Sequence, residues 1–121
     1  MSPKDKQLKI TEIHNLIKHK DFAKAKSVSE DLSKYDRSAG LACLGIVSFH
    51  EQDFKSAEQY LLEAYRINEK QYVALMNLVA VYIKLKDPKK SIIFGERYLE
   101  FCKEKSLTAD NLTIITLANA Y

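Results

Sequence analysis

The chain has 121 residues, of which 46% are hydrophobic and 29% are charged, and its formal net charge is +3. This length suffices for one domain of ordinary soluble composition. The basic excess is mostly lysine and forms no stripe of arginines and aromatic residues, which argues against nucleic-acid binding. The sequence contains only 3 Gly and 2 Pro, and this scarcity favours long helices over a chain of many β-turns.

The two cysteines and the apolar runs bear on the compartment of the protein. Cys43 and Cys102 both fall within helical patterns, and neither has the Cys or His spacing of a metal site. Two cysteines in a chain of this size do not make a disulfide framework, which favours a reducing compartment. The N-terminus does not read as a signal peptide, and no stretch approaches the roughly 18 apolar residues of a membrane span. The sequence therefore predicts a cytoplasmic protein without a membrane span.

Apolar residues recur at spacings of three and four along most of the chain, which predicts amphipathic helices. Pro3 stands where a helix tolerates proline, at its start. Six helices are predicted at residues 4–19, 22–34, 38–51, 54–67, 71–86 and 88–105, and a seventh within 109–121.

Aspartates precede three of these helices at a regular interval. Asp21, Asp53 and Asp87 are 32 and 34 residues apart, and a carboxylate at such a place accepts hydrogen bonds from the free N–H groups of the following helix. A small residue stands four positions after each aspartate, at Ala25, Ala57 and Ser91. A helix–turn–helix unit that repeats about every 34 residues is the signature of tetratricopeptide repeats.

The chain resembles the tetratricopeptide-repeat family over nearly its whole length. The middle repeat matches the family pattern best, at Leu41, Leu44, Gly45, Ala57 and Ala64. The resemblance implies an all-α fold, a right-handed superhelical solenoid of antiparallel helix pairs with about seven helices. A single domain over 1–121 would comprise repeats at about 4–37, 38–71 and 72–105 and a C-terminal helix at 109–121. The two helices of the middle repeat are expected to cross closely where Gly45 and Ala57 lie, because both side chains are small.

In this family the first helices of successive repeats line a concave groove. By repeat register, the resemblance places in a peptide-binding groove Ala42, Ile46, Phe49, His50, Met76, Asn77, Ala80, Ile83, Lys84, Ile115 and Asn119, and the first repeat adds Ile10, His14 and Ile17. These residues are mostly apolar, which predicts that the groove binds a hydrophobic peptide or an amphipathic helix of a partner protein. The alternative, that they pack on a missing segment or on a second copy, stays open. Some family members hold a C-terminal carboxylate in this groove, but only Asn77 matches the positions that do so.

No pattern in the sequence supports catalysis. There is no Ser/His/Asp set and no phosphate-binding loop, and His14, His19 and His50 lack metal-ligand spacing. The sequence therefore predicts a non-catalytic adaptor or assembly chaperone that needs no cofactor or metal. The alternative is a self-associating structural element or a fragment of a larger repeat protein. In that case the apolar stripe of the C-terminal helix would be covered by another copy, as in a homo-oligomer.

Overall fold

The computed structural model describes residues 1–104, and six α-helices occupy most of that range. They are α1 (Pro3–Lys18), α2 (Phe22–Tyr35), α3 (Arg37–His50), α4 (Phe54–Ile67), α5 (Tyr72–Lys84) and α6 (Pro88–Glu104). Every bound lies within two residues of the sequence prediction, and the described residues contain no β-strand. The all-α prediction is thereby confirmed. The predicted seventh helix at 109–121, with Ile115 and Asn119, lies outside the described residues.

The three predicted aspartate caps are confirmed. The carboxylates of Asp21, Asp53 and Asp87 accept hydrogen bonds from backbone N–H groups in the first turns of α2, α4 and α6, at 3.3, 3.2 and 3.2 Å. At Asp53 the side-chain and backbone hydrogen bonds from Ser56 lower the pKa of the carboxyl group. Each helix start is therefore fixed by the residue that also marks the sequence period.

The turns before these three aspartates share one backbone conformation. Their penultimate residues have a positive φ of 61°, 67° and 59°, at Lys20, Gln52 and Lys86. In the second turn the N–H of Gln52 donates to the carbonyl of Phe49 at 3.0 Å, and the next N–H donates to Ser48 at 2.9 Å. The other two turns repeat this pair of bonds, which is the Schellman closure of a helix end. The periodicity of the sequence thus has a counterpart in backbone geometry.

Asp36 is a fourth aspartate cap and was not predicted from the sequence. It alone joins α2 to α3: its N–H donates to Leu32 at 2.8 Å, and its carboxylate accepts from the N–H of Ala39 at 3.1 Å. The same carboxylate accepts from Lys6 Nζ at 2.5 Å. Burial would raise the pKa of Asp36, but the hydrogen bonds from Lys6 and Ala39 outweigh it and the pKa is lowered. This residue therefore ties α1 to the junction of the next two helices.

Helix α3 lies at the centre of the packing. Every residue from 38 to 48 is buried, because α3 contacts α2 and α4 as sequence neighbours and also touches α1 and α5. Consecutive helices contact each other from α1 to α6. Two apolar clusters meet on α3: one joins it to α1 and α2, and the other joins it to α4 and α5. The odd-numbered helices consequently stand side by side.

Two glycines of α3 allow its neighbours to approach closely. A Cβ at Gly45 would lie 2.6 Å from Leu61 Cγ and 3.4 Å from the carbonyl oxygen of Ala57. The predicted close crossing of α3 and α4 is confirmed, although Leu61 is nearer than Ala57. The tighter approach was not predicted: a Cβ at Gly40 would lie 2.4 Å from both Cα and N of Ser33 in α2. The one-residue link at Asp36 holds α2 and α3 together at that point.

Candidate functional site

The odd-numbered helices α1, α3 and α5 form a depression of about 500 Å³ on one face of the molecule. We call it the central groove. It is lined by His14, Ile17 and Lys18 of α1, Ile46 and His50 of α3, and Tyr72, Val73, Met76 and Asn77 of α5. In each helix these residues are spaced by one, three or four positions, which places them on one face. The groove therefore exists because three helices that are not sequence neighbours lie side by side.

The floor of the central groove is the upper surface of the hydrophobic core. Ile17 and Ile46 are each only 9% exposed and belong to the cluster that joins α1, α2 and α3. Val73 of α5 is half-buried and packs against the same cluster. Methyl groups held in this way form a preformed apolar surface, which loses little conformational freedom when it is covered.

A second depression of about 370 Å³ adjoins the central groove at His50. Its lining residues are Phe49, His50, Gln52, Phe54 and Lys84. The ring of Phe49 packs edge-on against that of Phe54, with centroids 5.4 Å apart, and Phe49 also packs against the core. Phe49 is therefore a wall of this depression rather than a freely projecting anchor.

The predicted groove residues do not all lie on one surface. Ile46, His50, Met76 and Asn77, with His14 and Ile17 from the first repeat, come together in the central groove, and Phe49 and Lys84 line the adjoining depression. Ala42 is not on this surface, because it is 2% exposed and packs in the core against α4 and α5. Ala80 and Ile10 are half-buried and Ile83 is 41% exposed, and none of the three lines either depression. Ile115 and Asn119 lie outside the described residues.

Three lining residues were missed by the sequence reasoning: Lys18, Tyr72 and Val73. The signal for them was present, since Lys18 follows His14 by one helical turn. Tyr72 and Val73 stand one turn before Met76 and Asn77. The repeat register had placed His50 and Lys84 at the C-terminal ends of α3 and α5, but it assigned no residue to the first turn of α5 or to the last residue of α1.

The polar groups of the central groove are histidines, lysine and an amide. The pKa of His50 is lowered, first by burial and second by the charge of the nearby His14. This lowering favours the neutral imidazole. The side-chain amide of Asn77 donates to the carbonyl of Val73 at 2.8 Å, and this bond fixes its orientation along α5. No carboxylate is among the residues that line the central groove.

Other depressions of similar size lie elsewhere on the molecule. One of about 520 Å³ at the junction of α2 and α3 contains the Lys6–Asp36 ion pair, with its charges already matched at 2.5 Å. One of about 500 Å³ is lined by one face of α1 and by Asp21 beyond it. Within residues 1–104, no three Cys, His, Asp or Glu side chains gather in a way that could hold a metal ion. No helix in that range is long and apolar enough to cross a membrane.

Comparison of the sequence with protein-family models gives no match, and comparison with the curated proteins gives none. Membership of the tetratricopeptide-repeat family therefore stays a prediction.

Proposed function

We propose that this chain is a non-catalytic protein-interaction module of tetratricopeptide type that binds an amphipathic peptide or helix of a partner in the central groove. The observation that carries the proposal is the groove itself. Its apolar floor is assembled from α1, α3 and α5, the first helices of three successive pairs. A helix or extended segment laid across these helices would bury its apolar side chains on Ile17, Ile46 and Met76.

The repeated turn geometry supports the same proposal. Three turns close with the same two backbone hydrogen bonds and a positive-φ residue, so the three helix pairs are built alike. Pairs that are built alike and stacked through their first helices give a solenoid with one face left for a ligand.

The proposal is tested by selecting a displayed library of random peptides on immobilised protein. Wild type is compared with Met76→Glu, which places a charge in the central groove. The matched control is Ile93→Glu, because Ile93 is 46% exposed on α6 and does not line the groove. We expect the peptides enriched on wild type to bind the control equally and Met76→Glu at least about tenfold more weakly.

Met76 also packs partly against the core, so Met76→Glu could weaken binding by destabilising the protein. A second variant controls for this effect. His14→Trp adds bulk at an exposed position of the groove without entering the core, and it should also weaken binding. Circular dichroism should be unchanged in all variants. Peptides that bind both groove variants as well as wild type, or a library that yields no binders, would contradict the proposal.

Self-association remains the competing function, because residues 106–121 carry apolar side chains at helical spacing. Light scattering from micromolar to millimolar concentration separates the two functions. A monomer throughout supports the interaction module, whereas a dimer that Met76→Glu dissociates would show that the groove is filled by a second copy.

A further inference from the structure

Apart from a tyrosine phenol, the ionisable groups around the central groove and the adjoining depression are all basic. They are Lys18 and His14 from α1, His50 from α3, and Lys84 from α5, with the phenol of Tyr72 beside them. No aspartate or glutamate lines either depression. The apolar floor is therefore bordered by cations and by histidines that can become cations.

These cations have no partner in the described part of the chain. Lys6 and Lys26 form cross-helix ion pairs with Asp36 and Glu51, at 2.5 and 2.7 Å, but Lys18 and Lys84 form none among residues 1–104. Glu51 directly follows His50 in the sequence, yet its carboxylate is turned towards Lys26 of α2. The groove border therefore lacks the compensating carboxylates found elsewhere on the same molecule.

We propose that the occupant of the central groove is an amphipathic segment whose apolar face is flanked by aspartate or glutamate side chains. This inference rests on the proposed function and specifies the chemistry of the partner. The apolar face would cover Ile17, Ile46 and Met76, and the flanking carboxylates would reach Lys18 on one side and Lys84 on the other. Charge complementarity of this kind selects among partners that share the same apolar pattern.

The histidines give the same occupant a pH signature. The charge of His14 disfavours the charged form of His50, and a carboxylate placed beside His50 would favour it. The pKa of His50 is then higher in the complex than in the free protein. Affinity for the acidic segment is therefore greatest at pH values below the free pKa and is lost as the pH rises through the bound pKa.

The test uses two synthetic peptides of about 16 residues, long enough for roughly four helical turns. Both carry the same leucine and isoleucine face. In one peptide the flanking residues are glutamate and in the other glutamine, and both peptides are acetylated and amidated so that no terminal carboxylate contributes. At low salt we expect the glutamate peptide to bind about tenfold more tightly, and this preference should shrink in about 300 mM NaCl.

Charge variants locate the preference. The double variant Lys18→Gln/Lys84→Gln should reduce the preference for the glutamate peptide over the glutamine peptide to about twofold or less. The control Lys24→Gln/Lys89→Gln loses the same charge at exposed positions outside the groove, and it should retain the full preference for the glutamate peptide. In wild type, lowering the pH from about 8 to about 6 should tighten binding of the glutamate peptide several-fold, and His14→Gln/His50→Gln should abolish that change.

The outcomes separate this inference from the proposed function. If both peptides bind in the groove with equal affinity, the charge inference is wrong and the interaction module stands. If neither peptide binds while library peptides do, the inference is also wrong. If no peptide of any kind binds and the protein self-associates through the groove, both proposals fail.

Discussion

Replacing Gly40 with alanine tests the packing of α2 against α3. The added Cβ would lie 2.4 Å from Cα and N of Ser33, whereas ordinary contacts of a Cβ are 3.4–4 Å. Relief requires the backbones to separate by about 1 Å, because the obstructing atoms belong to the main chain. Overpacking of this kind costs about 1–3 kcal/mol or more, and the better helix propensity of alanine returns about 1 kcal/mol. Because main-chain atoms obstruct the added Cβ, the cost should lie near the upper value of about 3 kcal/mol, and we expect a net loss of about 2 kcal/mol.

Gly45→Ala is the internal comparison. Its Cβ would meet Leu61 Cγ at 2.6 Å and Cδ2 at 2.8 Å, and these side-chain atoms can move further than a backbone. The loss should therefore be smaller, about 1 kcal/mol or less. The difference in helix propensity between alanine and glycine is measured separately, as the difference in unfolding free energy between Ser27→Ala and Ser27→Gly. Ser27 is an exposed position within α2.

Urea denaturation at about 25 °C gives the free energy of unfolding for each variant. In a thermal scan, a loss of about 2 kcal/mol should lower the Tm by roughly 10 °C for a domain of this size. The explanation fails if Gly40→Ala is as stable as wild type, or if Gly45→Ala is the more destabilised of the two.

Three further predictions concern single residues. Gln52→Gly should stabilise the protein by about 0.5–1 kcal/mol, because glycine relieves the positive φ of 67°; a loss of stability in urea titration would argue against strain there. Asp36→Ala should cost about 1 kcal/mol at neutral pH. The pKa of Asp36 is lowered in the folded protein. The difference in unfolding free energy between wild type and this variant should therefore be complete at pH values above 3.8, the ordinary pKa of the carboxyl group, and should disappear as the pH falls through the lowered pKa. A difference that persists in acid would refute this role. Burial raises the pKa of Cys43 to about 11, so native protein at about pH 8 should label with a thiol reagent far more slowly than unfolded protein; equal rates would contradict the burial.

The helices and their caps were predictable because their causes are local. Asp21, Asp53 and Asp87 cap the helices that follow them, and apolar spacing of three and four identified each helix to within two residues. The close approach at Gly40 was not predictable in the same way. It depends on the distance between α2 and α3, which is set by the one-residue link at Asp36 rather than by a pattern around the glycine.

The candidate groove was predictable in part, through repeat register. The register grouped Ile46, Met76 and Asn77, and these three side chains line one depression because α3 and α5 lie side by side; that this depression binds a peptide stays a prediction. It misplaced Ala42, which faces α4 and α5 rather than the groove. The unpaired lysines could not be identified from sequence, since Lys6 and Lys18 look alike until the structure shows that Lys6 reaches Asp36.

The most direct test of ligand binding in the central groove is a nuclear magnetic resonance titration of the wild-type protein with the glutamate-flanked peptide. We expect the largest shifts at Ile17, Ile46 and Met76, with the imidazole signals of His50 moving towards their protonated positions. Shifts concentrated on the outer faces, around Leu8 of α1 or Ile93 of α6, or the absence of any shift at millimolar peptide, would contradict binding in the groove.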